Sequence, residues 1–73
     1  MDYIIIENIA KRIKEIRIDN GLSQSEFGEK LFVSQDTVSL WERGKSLPST
    51  EHIICIAKLF EVSSDYILCI EDI

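Results

Sequence analysis

Residues 22–45 have the sequence LSQSEFGEKLFVSQDTVSLWERGK, and this stretch decides the fold. It predicts two short helices, 24–31 and 35–43, joined by a three-residue turn. Each helix carries a narrow apolar stripe, formed by the pairs Phe27 with Leu31 and Val38 with Trp41. Because the turn is too short for an antiparallel arrangement, we expect the helices to cross steeply with their stripes facing each other.

Serine caps fix where both helices begin. Ser23 precedes the first helix with Glu26 three residues further on, which is the pattern of a capping box, and Ser34 precedes the second. Apolar residues flank each cap and are placed to form hydrophobic staples: Leu22 with Phe27, and Val33 with Val38. Local sequence therefore predicts both starting points.

From residue 9 to residue 68 the chain resembles the phage-repressor and Cro-like (Xre-like) helix-turn-helix family. The resemblance rests on the opening Ser23-Gln24, the ending WERGKSLP at 41–48, and apolar positions at the family's spacing: Phe27, Leu31, Val33, Val38 and Trp41. It implies an all-α, five-helix lambda-repressor-like DNA-binding domain at 8–70. It also implies a sequence-specific transcriptional regulator, a repressor that binds double-stranded DNA as a dimer with helix 35–43 in the major groove.

Two positions depart from the family pattern. Gly28 replaces the alanine of a Leu-Ala pair, which allows close helix crossing but costs about 1 kcal/mol of helix propensity. Phe32 stands where the family often has a glycine with positive φ. We expect either a strained turn at Phe32 or a slightly different turn geometry.

The remaining helices are assigned from caps and periodicity. Residues 1–7 form an N-terminal extension that could be a strand, an arm or an early helix start, and Asn8 is a fair N-cap for the first helix. That helix would turn Ile9, Ile13 and Ile16 inward and Lys11, Arg12 and Lys14 outward. Ser49 is expected to cap a fourth helix, and Ser63 a last helix at 64–70.

The outward face of helix 35–43 supplies the candidate base contacts: Gln35, Asp36, Ser39 and Leu40. The Gln35 amide suits an adenine edge, and Ser39 suits either base type. Leu40 would fit a thymine methyl, or it is an ordinary exposed leucine. Asp36 would favour the positive end of the helix dipole, or accept from a cytosine amino group.

Phosphate contacts are expected at both ends of the two-helix unit, from Ser23, Gln24, Thr37, Arg43 and Lys45. A generic solvated lysine is the alternative for Lys45, and Gly44 should end the helix in a left-handed conformation. The resemblance further implies a buried ion pair between Arg17 and Glu42, with a solvated Arg17 as the alternative.

Apolar residues near the C-terminus exceed what one small core can take up. The candidates for a dimer interface are Leu59, Tyr66, Ile70 and Ile73. Related proteins use this end of the domain to dimerise, which would place two recognition helices in major grooves about 34 Å apart. A longer parent chain with a sensing or oligomerising domain would be equally compatible with the sequence.

The net charge of −5, from 8 basic and 13 acidic residues, has the wrong sign for a phosphate-binding protein. Residues 11–45 nevertheless carry seven basic and six acidic side chains, so the acidic excess lies in the flanks. With a Debye length of about 8 Å, distant acids lower affinity without preventing a local contact. Together with Asp36, the charge favours an alternative function, a protein-interaction or antitoxin-like module of the same fold.

Other functional classes have little support in the sequence. A chain of 73 residues has room for one domain, and its longest apolar run, 53–57, is too short to span a membrane, so we expect a cytoplasmic protein. Cys55 and Cys69 lack metal spacing and are expected to be reduced, buried or half-buried thiols, with a disulfide as the alternative. His52 is the only histidine and has no ligand at metal spacing. We expect no enzyme activity, no cofactor and no metal.

Overall fold

The computed structural model describes residues 3–70. Within this range the chain forms five helices and no strand: α1 (Tyr3–Asp19), α2 (Gln24–Leu31), α3 (Gln35–Glu42), α4 (Thr50–Phe60) and α5 (Ser64–Ile67). The prediction of an all-α, five-helix domain is confirmed.

Four of the five helices begin at a serine cap. In each, the serine Oγ accepts the backbone N–H three residues further on at 3.0–3.3 Å; the serines are Ser23, Ser34, Ser49 and Ser63. The capping box of α2 is complete, because Glu26 Oε1 also accepts from the Ser23 N–H at 2.9 Å. These starts lie where the local sequence predicts them.

A left-handed residue follows the last turn of every helix. These residues are Gly21, Phe32, Gly44, Glu61 and Cys69, with φ between 56° and 69°. After α5, for example, the Ile70 N–H donates to the Asp65 carbonyl at 2.8 Å and the Cys69 N–H to the Tyr66 carbonyl at 3.2 Å. These two hydrogen bonds together form a Schellman motif, which ends α5 at Ile67 instead of the predicted residue 70.

The start of α1 differs from the prediction. The helix begins at Tyr3, so Asn8 lies inside it and is not an N-cap. Of the alternatives for residues 1–7, the early helix start is the correct one for residues 3–7, and residues 1 and 2 lie outside the described part. Residues 3–8 contain no proline or glycine, so nothing in the local sequence prevents the helix from starting at Tyr3.

The core is built from one or more side chains of every helix. Its buried members are Ile9, Ile13, Ile16, Phe27, Leu31, Val38, Trp41, Ile53, Ile56 and Ile67. The ring of Phe27 stacks on that of Phe60 with the centroids 5.3 Å apart. All four residues of the predicted α2 and α3 stripes are buried, so the two-helix unit is anchored in this core.

Gly28 and Phe32 are explained together by the α2–α3 turn. A Cβ on Gly28 would lie 2.7 Å from the carbonyl oxygen of Val33, so the glycine lets the turn approach the helix closely. Phe32 has φ 59° and ψ 38°, and its side chain is 96% exposed. The first of our two expectations is therefore correct: the turn is strained at Phe32, and no packing of its ring compensates.

The two thiols are free, as predicted, but only one is partly buried. Cys69 is half-buried, whereas Cys55 is exposed. The prediction for Cys55 is wrong because α4 turns Ile53 and Ile56 into the core and leaves the side between them facing outward.

Candidate nucleic-acid interface

The predicted outward face of α3 is free of core packing. Gln35 and Asp36 are exposed, Leu40 is 37% exposed, and Ser39 is half-buried. Val38 and Trp41, on the opposite side of the helix, are buried. The helix thus presents amide, carboxylate, hydroxyl and apolar groups on one surface, which is the mixture that base edges and a thymine methyl can contact.

A chain of amide hydrogen bonds links the first residues of α2 and α3. Gln35 Nε2 donates to Gln24 Oε1 at 2.7 Å, and Gln24 Nε2 donates to Glu42 Oε1 at 3.2 Å. We call these three side chains the amide network. It holds Gln35 at the edge of the outward face, so this base-contact candidate is oriented before any ligand binds.

Sequence reasoning did not find the amide network. A signal was available, because Gln24 and Gln35 each follow a capping serine and therefore both stand at the first position of their helices. The crossing of two helices with a three-residue turn brings these positions together, but the distance between them depends on packing.

Glu42 connects the amide network to α1 through Arg17, as the resemblance implied. Arg17 Nε donates to Glu42 Oε2 at 2.7 Å and Nη2 to Oε1 at 3.0 Å, while Nη1 donates to the Leu22 carbonyl at 2.9 Å. The side chains are only 13% and 4% exposed, respectively. Hydrogen bonding to Glu42 raises the pKa of Arg17, against an opposing effect of burial. The ion pair ties α1 to the end of the recognition helix.

The predicted phosphate contacts lie around this unit, and several are held by local bonds. The Ser23 hydroxyl caps α2, and Thr37 Oγ1 lies 3.0 Å from the Oγ of the α3 cap. Arg43 Nε donates to Ser39 Oγ at 3.1 Å, and Arg43 is the C-cap of α3 instead of its last residue. Gln24 is half-buried within the amide network.

Lys45 follows the left-handed Gly44 in a fixed turn. The Lys45 N–H donates to the Leu40 carbonyl at 2.9 Å and the Gly44 N–H to the Trp41 carbonyl at 3.1 Å. Gly44 has φ 69°, as predicted for a helix-ending glycine. The backbone that carries the exposed Lys45 is therefore anchored to the recognition helix.

The dimer-interface candidates have different surroundings. Leu59 and Ile70 are 51% and 69% exposed, whereas Tyr66 is half-buried, and Ile73 lies outside the described residues. The Arg12 guanidinium lies 4.0 Å from the centroid of the Tyr66 ring and donates to the Tyr66 carbonyl at 2.9 Å. Our prediction that Arg12 points outward is wrong, because this cation–π contact holds it against α5.

The His, Cys, Asp and Glu side chains of residues 3–70 bear on other kinds of site. No group of three or more His, Cys, Asp or Glu side chains there is arranged to hold a metal ion, and none of the helices has the length and apolar character needed to cross a membrane. His52 is half-buried; its Nδ1 lies 3.0 Å from Ser49 Oγ and its ring packs near Trp41, with the centroids 5.2 Å apart. The histidine is part of the α4 cap.

This fold and surface define a helix-turn-helix protein. The family model described as Helix-turn-helix matches residues 13–67, and the chain belongs to this family. The P22 c2 repressor protein, solved as a crystal structure in complex with the synthetic operator 9T, superposes with a TM-score of 0.75 and 29% identity over 81% of this chain and 89% of that one. The fold is therefore lambda-repressor-like, as predicted.

Two curated relatives show what kinds of protein contain such a domain. The HTH-type transcriptional activator BcrR of Enterococcus faecalis is 35% identical over 63 residues, which are 86% of this chain and 31% of the relative. The HTH-type transcriptional regulator ImmR of Bacillus subtilis is 36% identical over 61 residues, 84% of this chain and 48% of the relative. The chain thus spans a third to a half of the length of these relatives.

Proposed function

We propose that the chain is a sequence-specific DNA-binding module of a transcriptional regulator, a repressor that binds double-stranded DNA as a dimer. The observation that carries this proposal is the outward face of α3, with Gln35 held at its edge by the amide network. The similarity to transcriptional regulators and to a repressor in complex with its operator supports it. The proposed partner also implies a cytoplasmic location.

The geometry of Gln35 is compatible with adenine recognition. Its Nε2 carries two hydrogens, of which one is used on Gln24, so the second hydrogen and Oε1 remain free. These two groups match N7 and N6 of an adenine in the major groove. We propose that Gln35 makes this bidentate contact, that Asp36, Ser39 and Leu40 contact neighbouring bases, and that Ser23, Gln24, Thr37, Arg43 and Lys45 contact phosphates.

For the dimer, we propose an interface that includes the exposed Leu59 and Ile70, together with Tyr66 and Ile73. Large apolar side chains exposed by 51% and 69% on a small domain support an interaction surface. Replacing Leu59 and Ile70 by glutamate should shift the sedimentation coefficient toward that of a monomer. A native chain that sediments as a monomer at micromolar concentration and on its operator would contradict the interface.

Selection from a random duplex pool, followed by binding measurements at several salt concentrations, tests the proposed function. We expect enriched sites and a negative slope of log affinity against log salt. Gln35→Ala and Ser39→Ala should relax sequence preference, each costing about 1–3 kcal/mol at the selected site. Lys45→Ala should lower the affinity for all duplexes alike. The exposed Lys58 on α4 offers a matched control, because Lys58→Ala should change the affinity little.

Two outcomes would count against the proposal in different ways. If no duplex is retained at low salt, the DNA-binding function is wrong, and the exposed Asp36 and the net charge of −5 would favour the protein-interaction module. If DNA binds but Gln35→Ala leaves every sequence preference unchanged, the assignment of the outward face is wrong.

A further inference from the structure

The first two turns of α1 lie against the C-terminal end of the recognition helix. Glu7, Ala10 and Lys11 of α1 line one side of a cleft whose other side is formed by Glu42, Arg43 and Gly44. The match to the family model begins at residue 13, so the part of α1 that forms this cleft lies outside the residues that this model matches. The N-terminal part of α1 therefore needs an explanation of its own.

Ile6 lies beside Gly44 in this region. A Cβ placed on Gly44 would lie 3.4 Å from Cγ2 of Ile6, so this methyl group covers the side of Gly44 where other residues carry a side chain. Ile6 is half-buried, whereas the adjacent Ile5 is 47% exposed. Ile6 thus borders a turn whose backbone is also held by hydrogen bonds from Gly44 and Lys45 to α3.

From this placement of its Cγ2 methyl we propose that Ile6 is a positioning residue for phosphate binding. Its Cγ2 restrains Gly44 and thereby the 43–45 loop, which carries Arg43 and Lys45, in the orientation that meets the DNA backbone. The inference rests on the proposed DNA-binding function. It assigns a role to residues 3–7: the early start of α1 increases affinity for any duplex without reading its sequence.

The side-chain shapes of the branched residues give a sharp test. Ile6→Val keeps Cγ2, whereas Ile6→Leu keeps the volume and slightly raises the helix propensity but removes the β-branch that faces Gly44. We expect Ile6→Leu to lower affinity roughly 3- to 10-fold on selected and scrambled duplexes alike and to reduce the salt slope by about one unit. Ile6→Val should bind as the native chain does, and so should Ile5→Leu, the matched control on the exposed side.

A double variant distinguishes positioning from general destabilisation. Because Ile6 acts through the loop, Ile6→Leu combined with Lys45→Ala should reduce the salt slope no further than Lys45→Ala alone. In the free protein, the order parameters of the Gly44 and Lys45 amides should fall in Ile6→Leu and not in Ile5→Leu. Thermal unfolding of each variant establishes the folded fraction at the assay temperature.

The outcomes separate this inference from the function on which it rests. If the native chain binds no duplex, the proposed function fails first. If the native chain binds and folded Ile6→Leu keeps the native salt slope, or if Ile6→Val loses as much affinity as Ile6→Leu, the positioning role of Ile6 is overturned while the DNA-binding function stands.

Discussion

Replacement of Arg17 by methionine tests how strongly α1 and α3 depend on their buried ion pair. The substitution removes two hydrogen bonds to Glu42 and one to the Leu22 carbonyl. It also leaves a carboxylate that is only 4% exposed without its cation, with the Gln24 amide as its remaining side-chain donor. Breaking a buried pair from one side costs about 3–5 kcal/mol. Because the hydrogen bond from Gln24 still stabilises the Glu42 carboxylate, we expect a loss of about 3–4 kcal/mol.

This loss is large for a chain of 73 residues. A domain of this size is expected to be stable by roughly 4–11 kcal/mol, so Arg17→Met would remove about a quarter or more of the free energy of unfolding. The corresponding fall in Tm is roughly 12–30 °C, measured by circular dichroism at 222 nm. Urea denaturation at fixed temperature gives the free energy independently.

Two controls make the result interpretable. Lys14→Met, at an exposed cation of the same helix, should change the free energy of unfolding by less than about 0.5 kcal/mol. Combining Arg17→Met with Glu42→Met removes the unpaired charge, so the double variant should be more stable than Arg17→Met alone. A cost below about 1 kcal/mol for Arg17→Met, as for a surface pair, would refute the reasoning.

Three further predictions concern local structure. Phe32→Gly should raise the free energy of unfolding by about 1 kcal/mol, because it removes the strain of a left-handed backbone and gives up a residue that is 96% exposed. A lower urea midpoint would contradict this. Gly28→Ala should destabilise by about 1–3 kcal/mol in the same assay despite its better helix propensity, since the new Cβ would lie 2.7 Å from the Val33 carbonyl oxygen; a stabilised variant would mean that the turn relaxes freely. Hydrogen bonds from the backbone and then the side chain of Ser23 lower the pKa of Glu26 from its ordinary value of 4.5. The stabilisation from this carboxylate is complete above that value and is lost as the pH falls through the lowered pKa, so Glu26→Gln should show a weaker loss of stability below pH 4.5; an unchanged acid dependence would argue against the capping box.

The starts of the four helices α2 to α5 were predictable because their signals are local. A serine followed three residues later by a free backbone N–H forms the same bond wherever the helix packs, and Ser23, Ser34, Ser49 and Ser63 all behave in this way. The apolar stripes were predictable for a similar reason, since the spacing of Phe27 and Leu31 places both on one side of any helix.

Helix ends were less predictable. Each one is followed by a residue in the left-handed conformation, and the sequence indicates such a residue clearly only when it is glycine. Gly44 was identified, whereas the left-handed Glu61 and Cys69 were not. The start of α1 was missed since Asn8 is an acceptable cap and nothing nearby in sequence indicates that Ile6 lies beside Gly44. Such proximity depends on the packing of segments far apart in the chain.

The candidate site also has features that were predictable from the sequence and one that was not. The outward face of α3 followed from periodicity, and the Arg17–Glu42 pair was implied by the family resemblance. The link from Gln24 to Gln35 required the actual crossing of the helices, because a hydrogen bond of 2.7 Å between two long side chains is decided by differences of less than 1 Å, which sequence spacing does not specify.

The most direct test of the DNA-binding surface is a titration of ¹⁵N-labelled protein with a selected duplex, followed by mapping of the amide shifts. We expect the largest shifts at residues 23–24, 34–40 and 43–45, and we expect the side-chain amides of Gln24 and Gln35 to shift with them. Shifts concentrated on the exposed side of α4, with residues 34–40 unchanged at saturation, would contradict this expectation.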